Sequence, residues 1–284
     1  MSKPVSFKVP PSSSTAFRFQ EDFDALFYNR FHSHPEVQFS YIVSSHGIAS
    51  IGYRAVSFQP DDLFVLGAKV PHVFRNDQPG PAAHALSILF LPETFGQPFY
   101  DLPEAGIFNK LWKEAERGIK ITGFEYKSLM EDFRQAKGLA RLILFLELAE
   151  IVHYHPRKSL ILAVLPGPAN PGDQERMQAV YQYIAENYER PIRLEEVADV
   201  AAMSPTAFCR YFKSRTRYSL VQYLNTYRIE VASKRLVERD LPVAQIAESC
   251  GFRNLANFNR QFRAITGKTP QGYRKSVRSV PDTK

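Results

Sequence analysis

IAESCGFRNLANFNRQF, residues 246–262, sets up a helical pattern, interrupts it at Gly251 and restarts it with two phenylalanines four residues apart. VADVAAMSPTAFCRYF, residues 197–212, does the same. Val197, Ala198 and Ala201 correspond to Ile246, Ala247 and Cys250 at an offset of 49. Beyond the break, Ser204, Phe208, Arg210, Phe212, Thr216 and Ser219 correspond to Asn254, Phe258, Arg260, Phe262, Thr266 and Thr269 at an offset of 50, so the second copy has a turn one residue longer. The repeat predicts, twice over, a short amphipathic helix, a tight turn and a second helix.

The second helix of each copy opens at an N-cap, Ser204 or Asn254, whose side-chain oxygen can accept from an unpaired backbone N–H. Pro205 follows at the first helical position, where no donor is lost. Gly251 is expected to supply a positive φ for the sharp turn, a conformation that Ala202 must adopt at a steric cost in the first copy. Phenylalanines four apart share the buried face, and Arg210 and Arg260, two residues on, point outward. In a helix-turn-helix the outward side of the second helix enters the major groove of DNA, where Arg bonds bidentately to guanine and Asn to adenine. The reading faces are therefore expected to comprise Thr206, Ala207, Cys209 and Arg210 in one copy, and Leu255, Ala256, Asn257, Asn259 and Arg260 in the other. Lys213, Arg215, Arg217, Arg263, Lys268 and Arg274, near helix ends, suit contacts to phosphates.

SLVQYLNTYRIEVASKRLVE, residues 219–238, joins the copies without Gly or Pro. As a helix it spans ~30 Å. That is close to the ~34 Å between successive major-groove faces on one side of B-DNA. Charge agrees with this partner. Residues 173–284 carry 19 Lys and Arg against 12 Asp and Glu, while residues 1–172 balance at 17 each, so the whole formal excess of +7 lies in the C-terminal part. Such an excess points to a polyanion, nucleic acid ahead of an anionic membrane. Any small three-helix bundle shows Phe at i and i+4, and surface Arg is common. The second copy, the matching caps, the spacer and the charge together favour DNA.

Residues 175–275 resemble the C-terminal DNA-binding domain of the AraC/XylS family of bacterial transcription regulators. The pattern is carried by Ile246-Ala247, Gly251-Phe252, Phe258 to Phe262, Gly267 to Pro270 and Tyr273-Arg274. The resemblance implies a seven-helix domain with two recognition helices. Leu255 and Ala256 depart from it, being apolar where polar readers are frequent; two roles stand, contact with thymine methyl groups or no reading role at all.

Residues 17–100 read differently: short alternating runs such as VQFSYIV and HALSILFL, broken by Gly, Pro, Asp and Asn, predict an antiparallel β sandwich or barrel. From about residue 104 the period is helical. GLARLILFLELAEIVHYH, residues 138–155, is apolar nearly all round, and is read both as a helix packed on the sheet and as a dimer seam. PRKSLILAVLPGPANPGDQ, with four Pro and two Gly, is the expected linker, with SLILAVL able to dock as a strand or turn. The expected fold is thus α+β in two domains. Residues 1–155 hold a β-barrel at 17–103 and helices at 104–155, 156–172 form a linker, and 173–284 form an all-α double helix-turn-helix.

FHSHPEVQFSYIV places His32 and His34 two apart, on one face if the segment is a strand, and VPHVFRND adds His72. This set resembles the cupin barrel, a double-stranded β-helix in which three such imidazoles and a carboxylate hold a divalent metal. Here Gln38 and Phe39 occupy the positions of the carboxylate, and Glu36 falls too early. Four readings stand: a small-molecule pocket using His32, His34, Gln38 and His72; structural histidines; a metal held by His32, His34 and His72 as part of a sensor; and a metalloenzyme. A pocket needs no cofactor and suits the architecture best.

The two cysteines, Cys209 and Cys250, lie in helical patterns and read as small buried residues of a reducing compartment. The N-terminal MSKPVSFKVPPSSST has no apolar signal core, and no apolar run approaches a membrane span, so a soluble, cytoplasmic protein is expected. The expected function is that of a non-enzymatic transcription regulator controlled by a small molecule, a cupin metalloenzyme with a DNA-binding tail being the alternative. The resemblance implies double-stranded DNA, RNA polymerase, a second copy of the chain and an effector, by family habit a sugar, as partners.

Overall fold

The computed structural model describes residues 16–27, 32–52, 54–76, 81–162, 171–238 and 240–278. Their contacts group into two units, the first ending at residue 162 and the second beginning at residue 171 among the described residues.

The first unit is built on two antiparallel sheets. The larger has the order β1-β7-β2-β5-β8-β9, formed by β1 (Phe17–Asp24), β2 (Val37–Ser44), β5 (Leu63–Leu66), β7 (Ala83–Phe90), β8 (Ile119–Ile121) and β9 (Lys158–Leu160). The smaller has the order β4-β3-β6, formed by β3 (Gly47–Ile51), β4 (Arg54–Phe58) and β6 (His72–Asn76). The stretch expected as a linker therefore begins with an edge strand, because Lys158–Leu160 pairs with Ile119–Ile121. Residues 163–170, which hold the Pro- and Gly-rich part of that stretch, lie outside the described residues.

Alternation gives the large sheet two unlike faces. Phe17 and Phe19 of β1, Phe39 and Tyr41 of β2, and Ile88 and Phe90 of β7 all join one apolar core with the helices. Those helices are α1 (Gly96–Tyr100), α2 (Gly106–Ala115), α3 (Lys127–Gln135) and α4 (Gly138–Tyr154). Phe145 of α4 is the hub, its ring 4.6 Å from that of Phe17 and 4.7 Å from that of Phe90. Phe145, Leu148, Ala149 and Val152 are the buried residues of α4, whereas Leu139 and Ile143 are 71% and 54% exposed. The helix thus packs on the sheet by one stripe and presents a second stripe outward.

The second unit consists of α5 (Pro171–Asn187), α6 (Leu194–Val200), α7 (Pro205–Thr216), α8 (Leu220–Glu238), α9 (Val243–Ser249), α10 (Leu255–Thr266) and α11 (Pro270–Arg278). The central α8 serves both halves, and Tyr223, Leu224, Tyr227, Ile229, Val231, Ala232 and Leu236 are buried on several sides of it. Arg228 of the same helix is nearly buried and donates to the carbonyls of Tyr188 and Arg190, each at 2.7 Å. Two main-chain acceptors that the end of α5 leaves open are thereby paired. No helix among the described residues is long and apolar enough to cross a membrane.

Candidate functional site

In the second unit the two halves match at their caps and turns. Ser204 Oγ accepts from Ala207 N at 3.4 Å and Asn254 Oδ1 from Asn257 N at 2.9 Å, so both N-caps close the first turn of their helix. Ala202 and Gly251 both have positive φ, 52° and 82°. At the other end Arg217 and Gly267 are both left-handed C-caps. Thr216 and Thr266 each donate back to Phe212 O and Phe262 O at 2.8 Å.

Phe208, Phe212, Phe258 and Phe262 are fully buried. Their partners extend beyond the preceding short helix: Phe212 meets Tyr223 of α8 at 5.6 Å, and Phe262 meets Tyr273 of α11 at 5.6 Å. With these rings inward, the opposite sides of α7 and α10 face solvent. Thr206, Cys209, Arg210 and Lys213 are exposed on α7, with Ala207 half-buried behind its cap. Leu255, Ala256, Asn259, Arg260 and Arg263 are exposed on α10 with Lys268 just beyond, and Asn257 is half-buried. Arg260 donates to Asn257 Oδ1 at 2.9 Å, which holds the guanidinium along the helix face. Arg253, exposed in the turn ahead of α10, is a further cation that the repeat alignment passes over because its position has no counterpart in the shorter first turn.

Two arginines expected at phosphates are used inside the unit instead. Arg215 pairs with the buried Asp173 at 2.7 Å, and Arg274 donates to Leu236 O at 3.0 Å and Leu241 O at 2.6 Å. Of the cysteines, Cys250 is the small buried residue expected, its thiol pushed up to about 11 by burial, whereas Cys209 is exposed.

The helix-turn-helix domain family matches residues 197–276. These residues form an AraC-type helix-turn-helix domain. Over 255 residues the chain is 21% identical to the probable transcriptional regulator LumQ of Photobacterium leiognathi, covering 87% of this chain and 92% of LumQ. It is 31% identical over 103 residues to the bifunctional transcriptional activator/DNA repair enzyme AdaA of Bacillus subtilis, 36% of this chain and 49% of AdaA. It is 28% identical over 102 residues to the multiple antibiotic resistance protein MarA of Salmonella typhimurium, 36% of this chain and 80% of MarA. The chain thus spans nearly all of LumQ but about half of AdaA. Its AraC-type domain is the DNA-binding part of a transcription regulator.

In the first unit the histidines converge. His32 and His72 exchange backbone hydrogen bonds of 3.0 and 2.8 Å, which sets their rings 4.4 Å apart; the His34 ring lies 5.2 Å from that of His72. His72 is buried, and burial, reinforced by its two histidine neighbours, holds its pKa well below the usual histidine range, so the ring is neutral. Nδ1 of His72 donates to Val70 O at 2.9 Å. His34 Nε2 lies 2.7 Å from Gln38 Oε1, and a chain of contacts continues from Gln38 Nε2 to Ser40 Oγ at 2.6 Å and on to Ser87 Oγ at 2.8 Å.

This cluster lines part of a cavity of about 200 Å³. His32, His34, Gln38 and His72 all line it, as the spacing suggested. Arg18, Gln20, Asp22, Ser40 and Ser87 line it as well, and sequence reading missed them. They occupy the face of β1, β2 and β7 opposite the phenylalanine core. The alternation in FRFQEDFD carried that signal, but a polar face of a strand ordinarily reads as solvent-facing.

Proposed function

We propose that the chain is a transcription regulator that reads DNA through α7 and α10 and is controlled by a small molecule in the cavity of its first unit. The observation that carries the DNA reading is the duplication: two capped second helices, each burying two phenylalanines and exposing an Arg from the opposite face. One such unit would be weak support for sequence-specific reading. Two, joined by the 19-residue α8, suit successive major-groove faces.

The sensing half rests on the cavity. Polar side chains from three strands and the histidine cluster, together with Phe27, Ile42, Phe74 and Leu89, line a concave space of mixed chemistry suited to a small molecule. We read the two sheets as a cupin-like barrel. The proposed ligand contacts are His32, His34, Gln38 and His72, with the first domain extending past residue 155 to include the edge strand Lys158–Leu160 and the second beginning with α5. The outward stripe of α4, with Leu139 and Ile143, is the proposed contact with a second copy of the chain. RNA polymerase in the cytoplasm is the remaining proposed partner. LumQ is named as a probable transcriptional regulator, which favours regulation over a cupin enzyme; AdaA is named as both a transcriptional activator and a DNA repair enzyme.

Selection of duplexes from a random library at ~150 mM salt, where purely nonspecific phosphate binding is weak, tests the reading. Two enriched blocks about one helical turn apart are expected. A library that emerges unenriched, both alone and with a metabolite mixture present, overturns it.

A further inference from the structure

Two arginines of α8 fasten the second helix-turn-helix to the segment that follows α5. Arg228 and Arg235 are seven residues apart, which is two helical turns, so both leave α8 on the same side, ~10 Å apart along it. Arg228 donates to Tyr188 O and to Arg190 O, each at 2.7 Å. The same guanidinium also meets the second turn: it lies 5.8 Å from the Phe252 ring, and a Cβ on Gly251 would come within 2.9 Å of its nitrogens. Arg235 repeats the bridge. One of its terminal nitrogens donates to Ser249 O at 2.9 Å and Ser249 Oγ at 2.8 Å, the other to the Tyr188 hydroxyl at 3.0 Å and Glu189 Oε1 at 2.8 Å.

The segment they grip leads into the first helix-turn-helix. Residues 188–193 join α5 to α6, and Arg190 donates to Glu196 Oε2 of α6 at 2.9 Å. The same oxygen accepts from the Tyr183 hydroxyl of α5 at 2.7 Å. Residues 188–190 are therefore a joint, with the first helix-turn-helix on one side and the turn of the second on the other. Apolar packing along α8 is non-directional. A guanidinium fork is planar and directional, so each arginine fixes an angle as well as a distance.

We infer that Arg228 and Arg235 are positioning residues that set the separation and tilt of α7 and α10, and thereby the spacing between the two DNA blocks that the chain accepts, without touching DNA themselves. One base pair moves a block by about 3.4 Å and turns it by about 35°, so a joint that yields by a few ångströms blurs the spacing by a base pair. The effect on DNA rests on the reading proposed above; the arrangement of the helices does not.

The first measurement uses the full chain without DNA. Spin labels are attached at Cys209 and at Asn259→Cys, exposed on α7 and α10, while the buried Cys250 stays unlabelled. Pulsed dipolar spectroscopy should give one narrow distance distribution. Arg228→Lys and Arg235→Lys, which keep the charge and lose the fork, should broaden or shift it, and Glu189→Gln, at an exposed position, should do so less. Circular dichroism checks that each variant is folded; where Arg228→Lys is not, the other two carry the test. Folded variants whose distance and width match the parent's overturn the inference. The second measurement moves the two selected blocks together or apart by one base pair. The parent should lose about 10-fold in affinity at the altered spacings. The variants should discriminate less between spacings while binding a single block as the parent does. An equal loss at every spacing and on a single block would leave the arginines a role in stability alone and overturn the one at DNA. Labels that move apart as expected in a chain that enriches no duplex would uphold the joint and remove the DNA reading instead.

Discussion

At the scale of single residues, the turn of each helix-turn-helix shows what one side chain decides. Gly251 sits at φ 82°, and a Cβ there would lie 2.5 Å from Tyr188 O and 2.9 Å from Arg228 Nε. Gly251→Ala therefore combines left-handed strain with a backbone clash, and a loss of about 2–4 kcal/mol in urea unfolding is expected. Ala202 is exposed at φ 52°, so Ala202→Gly relieves strain while loosening the unfolded chain, and its net effect should stay within about 1 kcal/mol. Equal effects of the two substitutions would refute the account of the turn. Arg260, exposed and steadied by Asn257, is expected to read a base. Arg260→Ala should cost about 1–3 kcal/mol on a selected duplex and relax preference at one position, whereas Lys268→Ala should weaken all duplexes alike. A uniform loss for Arg260→Ala would remove its reading role. Cys209 offers a footprint on α7: its exposed thiol should react with iodoacetamide in the native protein while Cys250 does not, and bound duplex should slow that reaction. Unchanged reactivity in the complex would take the outer face of α7 away from DNA.

At the scale of elements, what could be read from the chain depended on whether a local rule had one meaning. Ser204, Asn254 and Gly251 act within their own turn, so the caps, the breaks and the repeat of α6-α7 in α9-α10 were legible before any packing was known. The polar face of β1 had two meanings. Arg18, Gln20 and Asp22 alternate with Phe17 and Phe19 whether they face solvent or a cavity, and only the second sheet, brought over by the exchange between His32 and His72, makes it a cavity. Arg215 and Arg274 were misplaced for a related reason: a cation near a helix end can meet phosphate or its own fold, and Asp173 and the carbonyls of Leu236 and Leu241 lie far away in sequence. Helix α4 also kept two meanings, because it is apolar nearly all round. Its buried stripe runs through Phe145, Leu148, Ala149 and Val152, so the exposed Leu139 and Ile143 are free for a second copy. The double substitution Leu139→Lys and Ile143→Lys should leave circular dichroism unchanged and shift sedimentation from dimer to monomer. Sedimentation that is the same before and after would refute α4 as the seam.

At the scale of the whole molecule, charge divides the labour. The excess of +7 lies wholly in residues 173–284, and the exposed Arg210, Lys213, Arg253, Arg260, Arg263 and Lys268 place part of it on or beside α7 and α10. Each phosphate neutralised releases counterions, so log K should fall linearly with log of salt concentration, by about 0.9 per phosphate contacted. Lys268→Ala and Arg263→Ala should each lower that slope by about 1 if they touch phosphate. Arg215→Ala and Arg274→Ala should leave the slope unchanged and lower stability instead, since their guanidinium groups are committed within the unit. The four variants thus sort into two classes by two measurements, a salt titration of DNA affinity and a urea melt. A slope that falls with Arg274→Ala and not with Lys268→Ala would mean that the basic side of the second unit meets DNA elsewhere than along α10.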